Sequence, residues 1–149
     1  MNFINVEVNS KRWLSLENLL NEEWKDIKDF EGIYQVSNYG RIKRLILHSG
    51  NKSGSYSKNK KTIKKPYIMN NGYYRVDLWK NNIRKACLVH NLVADAFLLK
   101  IKDKPIINHI DGNKLNNNIN NLERCDYSEN IIHAYNTGLR KRRKIKWIK

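Results

Sequence analysis

The fold of this chain is decided by residues 105–138, PIINHIDGNKLNNNINNLERCDYSENIIHAYNTG. Residues 105–109 are apolar up to the Asn-His pair and predict a short strand. The Asp-Gly-Asn at 111–113 is a strong turn signal, and it opens a long loop rich in Asn. A second short strand is predicted from Leu122 to Cys125. The first half of this stretch is therefore predicted to be two strands joined by a long polar loop.

A helix is predicted to follow the second strand. Asp126 and Glu129 stand three residues apart, which is the spacing of a capping box at a helix N-terminus. The helix is expected to run to about Asn136, and Gly138 suits the position just past its end. The whole stretch is thus predicted to fold as strand, loop, strand and helix.

This arrangement can place one base and two oxygen ligands around a metal ion. His109 is the candidate general base, because the usual pKa of a histidine lies near neutral pH. Asn108 and Asn130 are candidate metal ligands through their amide oxygens, which suit Mg²⁺. Asn121 is better placed as a brace that bonds the loop backbone or the His109 ring. The alternative is that an Asn-rich loop in an Asn-rich chain is merely low in complexity.

The charge of the chain indicates a polyanionic partner. The 149 residues include 29 Lys and Arg against 14 Asp and Glu, which gives a formal net charge of +15. DNA, RNA and an anionic membrane surface are the classes of partner that fit. No apolar run approaches the roughly 18 residues that a membrane span requires, and no signal peptide is recognisable. A cytoplasmic location is therefore expected, with Cys87 and Cys125 as unpaired apolar residues.

The upstream residues predict hairpins and one helix. Residues 34–36 and 41–47 are expected to pair across a turn at 37–40, and residues 73–79 to pair with 83–88 across Asn81 and Asn82. Helical apolar spacing predicts a helix over 89–98. Its residue His90 is expected to make a structural hydrogen bond. A shorter helical face is suggested by Trp13, Leu16, Leu19 and Leu20, and residues 48–66 are expected to be a loop.

Several of these motifs together resemble a known family. VHNLVADAF at 89–97, NHIDGNK at 108–114, NLE at 121–123 and SEN at 128–130 resemble the HNH endonucleases of bacteriophages and intron-encoded homing enzymes. Residues 24–45, with YQVSNYGRI at 34–42, resemble the small module that commonly precedes that nuclease domain. Many relatives have Asp where this chain has Asn108.

The resemblance implies a fold and a reaction. The fold class is α+β, with a small N-terminal hairpin module followed by a ββα-metal HNH nuclease domain. The resemblance implies one divalent cation, Mg²⁺ or alternatively Mn²⁺, with His109 as general base, Asn121 as the central Asn of the motif and Asn130 as the final metal ligand. The reaction implied is hydrolysis of DNA to 5′-phosphate and 3′-hydroxyl ends, and double-stranded DNA is the expected partner. With one site in each chain, a monomer or weak dimer is expected to nick one strand, and cutting both strands would require a dimer or two sequential events.

The predicted division of the chain has four parts. They are an N-terminal segment at 1–22, a nuclease-associated DNA-binding module with a basic loop at 23–66, an HNH domain at 67–138 with its core at 105–138, and a basic tail at 139–149. Candidate DNA-binding residues are Arg41, Lys43, Arg44, Lys60, Lys61, Arg75, His133, Arg140, Arg142 and Arg143. A surface role is the alternative for His133, and a solvated loop is the alternative for the Lys60 region.

Two other functions compete with the nuclease. The substituted Asn108 fits a catalytically weak or inactive DNA-binding protein derived from an HNH nuclease. The 8 Tyr and 4 Trp residues fit, less well, an RNA-binding protein that stacks bases on aromatic rings.

Overall fold

The computed structural model describes residues 7–45 and 61–141 and has the α+β fold that the sequence predicts. The strands are β1 (Trp24–Asp26), β2 (Tyr34–Ser37), β3 (Ile42–Arg44), β4 (Thr62–Lys64), β5 (Tyr67–Ile68), β6 (Tyr74–Lys80), β7 (Ile83–Leu88), β8 (Ile106–His109) and β9 (Leu122–Cys125). The helices are α1 (Val89–Phe97) and α2 (Tyr127–Asn136), and a short 3₁₀ turn spans Ile119–Asn121. No helix in this part of the chain is both long and apolar enough to cross a membrane.

The strands form three antiparallel sheets. The first sheet has the order β1-β2-β3-β4, the second β5-β6-β7, and the third contains β8 and β9 alone. The predicted hairpin of β2 and β3 is present, but β4 pairs with β3 inside the stretch expected to be a loop. Pairing with a strand so distant in the chain stabilises a three-residue segment that is too short to predict from its own pattern.

One hydrophobic core joins the sheets and the first helix. It contains Tyr34, Val36 and Ile42 of the first sheet, Val76 and Leu78 of β6, Val89 and Val93 of α1, and Leu122 of β9. Tyr34, Val36, Leu78 and Val93 are completely buried. The N-terminal sheet and the nuclease-like segment are therefore packed against each other through side chains that no water reaches.

The third sheet and α2 have the geometry that the sequence predicts. His109 at the end of β8 pairs with Leu122 at the start of β9, so the loop between them is closed at its base. The Asp126 carboxylate accepts a hydrogen bond from the backbone N–H of Glu129, and the Glu129 carboxylate accepts one from the backbone N–H of Asp126. This reciprocal capping box begins α2, and Gly138 lies just beyond its end.

Arg41 lies inside the protein, which contradicts its predicted contact with DNA. Its guanidinium is fully buried and forms an ion pair with Glu22 at 2.6 Å. It also donates hydrogen bonds to the backbone carbonyls of Trp13 (2.8 Å), Ser15 and Glu17 (3.1 Å). Because these three carbonyls accept hydrogen bonds from Arg41, they do not accept the backbone hydrogen bonds of a helix. Residues 13–20 therefore form turns in place of the predicted helical face.

Candidate active site

His109 lies at the C-terminal end of β8 with 4% of its surface exposed. Its Nε2 is 3.3 Å from Oδ1 of Asn117, in the loop between β8 and β9. Nδ2 of the same amide donates to the backbone carbonyl of Leu115 at 3.2 Å, which orients the amide with its oxygen toward the ring. Because an amide oxygen only accepts, Nε2 of His109 carries the proton. The Nδ1 lone pair is then the acceptor end of the ring.

The surroundings of His109 favour the neutral ring that a general base needs. Burial lowers the pKa of His109, and the positive charge of Lys114 lowers it further. The hydrogen bond that His109 donates to Asn117 and the negative charge of Asp111 act in the opposite direction, but the net shift is downward. The imidazole is therefore uncharged at neutral pH and ready to accept a proton.

Two aromatic rings lie against His109. The ring centroid of His90, in the first turn of α1, is 5.2 Å away with an edge-to-face orientation, and that of Tyr73 is 5.9 Å away. The expected hydrogen bond of His90 is absent among the described residues, where its buried Nδ1 has no partner. Burial, with His109 nearby, lowers the pKa of His90 to about 4. His90 is therefore a neutral aromatic neighbour of the base.

Asn121 braces the loop that follows His109. Its Oδ1 accepts a hydrogen bond from the backbone N–H of Asp111 at 3.0 Å, and its Nδ2 donates to Oδ1 of Asp111 and to the carbonyl of Asn116. Burial disfavours the Asp111 carboxylate, but hydrogen bonds from Asn116, Asn113 and Asn121 outweigh it and hold its pKa below the usual range. Asp111 is thus a charged anchor of the loop, and Asn121 bonds the loop backbone as its predicted bracing role requires.

The side chain of Asn108 is held through its amide nitrogen. Its Nδ2 donates to Oε1 of Glu123 on β9 at 2.8 Å, so its amide oxygen is the free end of the group. Its donor type and position beside His109 fit a hard cation such as Mg²⁺. Within residues 7–45 and 61–141, no three His, Cys, Asp or Glu side chains are grouped to hold a metal ion. A cation here would therefore depend on amide ligands and on the substrate phosphate for neutralisation.

Helix α2 packs against the strand that ends in His109. Nε2 of His133 donates to the carbonyl of Ile110 at 3.0 Å, which fastens the helix to the start of the loop. One nitrogen of His133 is therefore used within the protein, and contact with phosphate would be left to Nδ1. Asn130 is half-buried on this helix, three residues before His133.

The other basic candidates for DNA contact differ in their exposure. Lys61 and Arg140 are exposed, and the Arg140 guanidinium lies 5.5 Å from the Tyr135 ring centroid. Lys43 and Arg44 are half-buried, with their charges 3.7 Å and 5.8 Å from the centroids of Trp24 and Tyr34. Arg75 forms an ion pair with Asp77 at 3.3 Å. Lys60, Arg142 and Arg143 lie outside the described residues.

Sequence reasoning assigned no role in the active site to Asn117, Tyr73, Lys114 or Glu123. Asn117 is one of several Asn residues in its loop, and nothing in its spacing distinguishes it from Asn113 or Asn116. Tyr73 is distant in sequence and reaches His109 only because β6 and α1 bring it there. Glu123 is the one that the sequence could have indicated, because aligning the two predicted strands as an antiparallel pair places residues 108 and 123 opposite each other.

Two families match this chain. Residues 22–79 match the NUMOD4 motif, and residues 87–131 match the HNH endonuclease family. The chain therefore combines a NUMOD4 motif with an HNH endonuclease domain, which confirms the resemblance carried by its sequence motifs. The predicted boundaries at residues 66 and 138 stay predictions.

Relatives of this chain include viral and phage proteins. An uncharacterized HNH endonuclease, L245, of Acanthamoeba polyphaga mimivirus is 41% identical over 119 residues, which are 80% of this chain and 32% of that relative. DNA endonuclease I-HmuI of Bacillus phage SP01 is 38% identical over 116 residues, which are 78% of this chain and 59% of I-HmuI. The chain thus spans between about a third and three fifths of these relatives.

A solved structure shares the fold. The structure described as DNA binding and cleavage by the HNH homing endonuclease I-HmuI superposes with a TM-score of 0.65 and 34% sequence identity. The match covers 80% of this chain and 61% of the I-HmuI chain.

Proposed function

We propose that this chain is a metal-dependent DNA endonuclease that hydrolyses phosphodiester bonds to 5′-phosphate and 3′-hydroxyl ends. The observation that carries the proposal is the state of His109. It is an uncharged imidazole at the end of β8, with Nε2 held by Asn117 and Nδ1 left to accept a proton. Its place inside residues 87–131, which match the HNH endonuclease family, supports phosphodiester hydrolysis as the reaction that such a base would serve.

His109 would act on a water molecule aligned with the scissile phosphate. Nδ1 accepts the proton as the water oxygen attacks phosphorus, and the bond between phosphorus and the 3′ oxygen breaks. Asn108 and Asn130 would hold a divalent cation, with Mg²⁺ favoured by their oxygen ligands and Mn²⁺ as the alternative. When bound, such a cation supplies neutralisation of the phosphoryl and leaving oxygens.

Double-stranded DNA is the proposed substrate. The related I-HmuI is a homing endonuclease that binds and cleaves DNA, and the +15 formal charge of this chain suits a polyphosphate. The exposed Lys61 and Arg140, with Lys43, Arg44 and Arg75, would contact the backbone. A single site in each chain favours nicking by a monomer or weak dimer, in a homing or phage-type role.

A second function has a specific observation in its favour. Both proposed ligands, Asn108 and Asn130, are uncharged, so the protein adds little negative charge to a cation. Weak metal binding would leave a DNA-binding protein with little or no cleavage. The two functions share the same fold and the same basic surface, and they differ only in whether the bound DNA is cleaved.

The test is conversion of supercoiled plasmid to open circles by purified, folded protein. We expect conversion with Mg²⁺ or Mn²⁺ and none with EDTA, and we expect DNA ligase to reseal the nicks because their ends carry 5′-phosphate and 3′-hydroxyl groups. Binding is measured separately by fluorescence anisotropy in EDTA at several salt concentrations. Salt-sensitive binding without conversion at any metal concentration would support the inactive DNA-binding protein and refute the nuclease.

A further inference from the structure

The Ser37–Gly40 turn of the N-terminal sheet contacts the loop that orients His109. A Cβ atom placed on Gly40 would lie 3.0 Å from Cβ of Asn117, 3.3 Å from the Asn117 carbonyl oxygen and 3.3 Å from Cγ1 of Val89. Gly40 has φ +84°, which is the left-handed region. The turn and Asn117 are therefore so close that a Cβ at position 40 would make Asn117 give by a few tenths of an ångström, in a backbone conformation that favours glycine.

A backbone hydrogen bond ties the same turn to the same loop. The carbonyl of Asn38 accepts from the backbone N–H of Ile119 at 2.8 Å. The Asn38 side chain is itself anchored, because its Oδ1 accepts from the Glu23 N–H at 3.1 Å and its Nδ2 donates to the Asn21 carbonyl at 3.0 Å. The loop residues that flank Asn118 thus rest on a turn held firmly by the first sheet.

Asn117 transmits this contact to the base. Its side chain is 5% exposed and has two partners, with Oδ1 at 3.3 Å from Nε2 of His109 and Nδ2 at 3.2 Å from the Leu115 carbonyl. A displacement of Asn117 away from the turn would lengthen the bond to Nε2 or rotate the His109 ring. Reaction rates are sensitive to such shifts, since a misplacement of about 1 Å can reduce a rate about 100-fold.

We propose that the Ser37–Gly40 turn is a positioning element of the nuclease site, which acts through Asn117 to hold the His109 ring in its productive orientation. The inference rests on the proposed function of His109 as general base. It gives the NUMOD4 region a catalytic contribution that is separate from any contact with DNA. Asn117 is accordingly a positioning residue, and its close contact with Gly40 determines where it lies.

Gly32 provides a matched control for a substitution at Gly40. It belongs to the same sheet region and has φ +71°, but a Cβ placed there meets no described atom within 4 Å. Gly40→Ala and Gly32→Ala therefore impose similar left-handed backbone strain, and only Gly40→Ala also presses on Asn117. We expect Gly40→Ala to reduce the single-turnover cleavage rate about 10- to 100-fold with DNA affinity unchanged, and Gly32→Ala to cleave like the wild type. Equal rates for the two variants would overturn the proposal.

A double-mutant cycle shows whether the effect passes through Asn117. Asn117→Ala removes the bond to His109 and keeps the Cβ, so it should slow cleavage by itself. Adding Gly40→Ala to Asn117→Ala should then reduce the rate little further. Losses that multiply in the double variant would exclude this route. If Gly40→Ala fails to fold, the Asn117→Ala protein still tests the route, because cleavage at the wild-type rate would exclude it.

Nitrogen-15 NMR of the His109 imidazole separates this inference from the proposed function. Gly40→Ala should shift the Nε2–H resonance of His109 or broaden it by exchange with water, whereas Gly32→Ala should leave it in place. This result would support the positioning role even if the wild-type protein cleaves no DNA. An unchanged His109 resonance in Gly40→Ala would refute the role whatever the cleavage assay shows.

Discussion

Arg41→Met is expected to destabilise the protein strongly without weakening its electrostatic contact with DNA. The substitution keeps an apolar side chain of similar length and removes a guanidinium that is completely buried. It leaves the Glu22 carboxylate, whose side chain is also 0% exposed, without its cation. It also leaves the carbonyls of Trp13, Ser15 and Glu17 without their donor.

The size of the loss follows from this stranded charge. Removing one partner of a buried ion pair reduces the free energy of unfolding by about 3–5 kcal/mol. The three carbonyls can regain water if residues 13–20 move outward, so we do not add a separate penalty for each. Glu22→Leu in the same chain should recover part of the loss, because no buried charge is then left unpaired.

Urea denaturation followed by tryptophan fluorescence measures this change, and Lys43→Met is the matched control. Lys43 is half-buried, and its ammonium lies 3.7 Å from the Trp24 ring centroid, so its removal should reduce the free energy of unfolding by about 1 kcal/mol. For Arg41→Met, the slope of log K for DNA against log salt should equal that of the wild type. A stability loss below about 1 kcal/mol, with a slope reduced by about 0.9, would show that Arg41 faces phosphate and is not a buried structural residue.

Three further predictions concern the site. For His90, the folded-state pKa of about 4 lies below the usual 6.5, so the unfolded chain binds the proton first and stability falls as pH falls between these values. In urea denaturation, the free energy of unfolding of the wild type should fall between pH 6.5 and 5, and in His90→Phe this fall should be smaller by about 2 kcal/mol. An unchanged pH dependence would contradict the neutral buried ring. Asn121→Ala should reduce the free energy of unfolding by about 2–4 kcal/mol, because three hydrogen bonds in the loop are lost. It should also speed hydrogen exchange at the backbone N–H of Asp111. If that amide stays protected from exchange, Asn121 does not brace the loop. The double substitution Asn108→Asp and Glu123→Gln should increase the Mn²⁺ affinity measured by calorimetry about tenfold. It adds a negative charge at the proposed ligand and removes the Glu123 carboxylate that would repel it. Equal Mn²⁺ affinity in the variant and the wild type would argue against Asn108 as a ligand.

The elements predicted well are those whose ends are determined locally. The capping box of Asp126 and Glu129 begins α2 where the sequence places it, and β8 and β9 end within a residue of their expected bounds. Asn81 and Asn82, with φ of 51° and 62°, form the expected two-residue turn between β6 and β7. Each of these signals depends on neighbours within a few residues, so no distant contact was needed to recognise it.

What could not be predicted depends on distant contacts. Arg41 is basic and lies next to a strand, and only the fold shows that residues 13–22 enclose it. Asn117 is bonded to a histidine eight positions away, and its neighbours in the loop have the same side chain. Composition predicts a polyanionic partner, but it does not distinguish a lysine on the surface from an arginine in the core. The candidate base was therefore predictable, while the residues that orient it were not.

The most direct test of the central claim is the single-turnover cleavage rate of His109→Ala at saturating protein, with DNA affinity measured in parallel. A general base contributes about 10²- to 10⁴-fold, so we expect a rate loss in that range with unchanged affinity. Added free imidazole should restore part of the rate, because it replaces the missing proton acceptor. A variant that cleaves as fast as the wild type, or one that loses cleavage only because it no longer binds DNA, would contradict the assignment of His109 as the base.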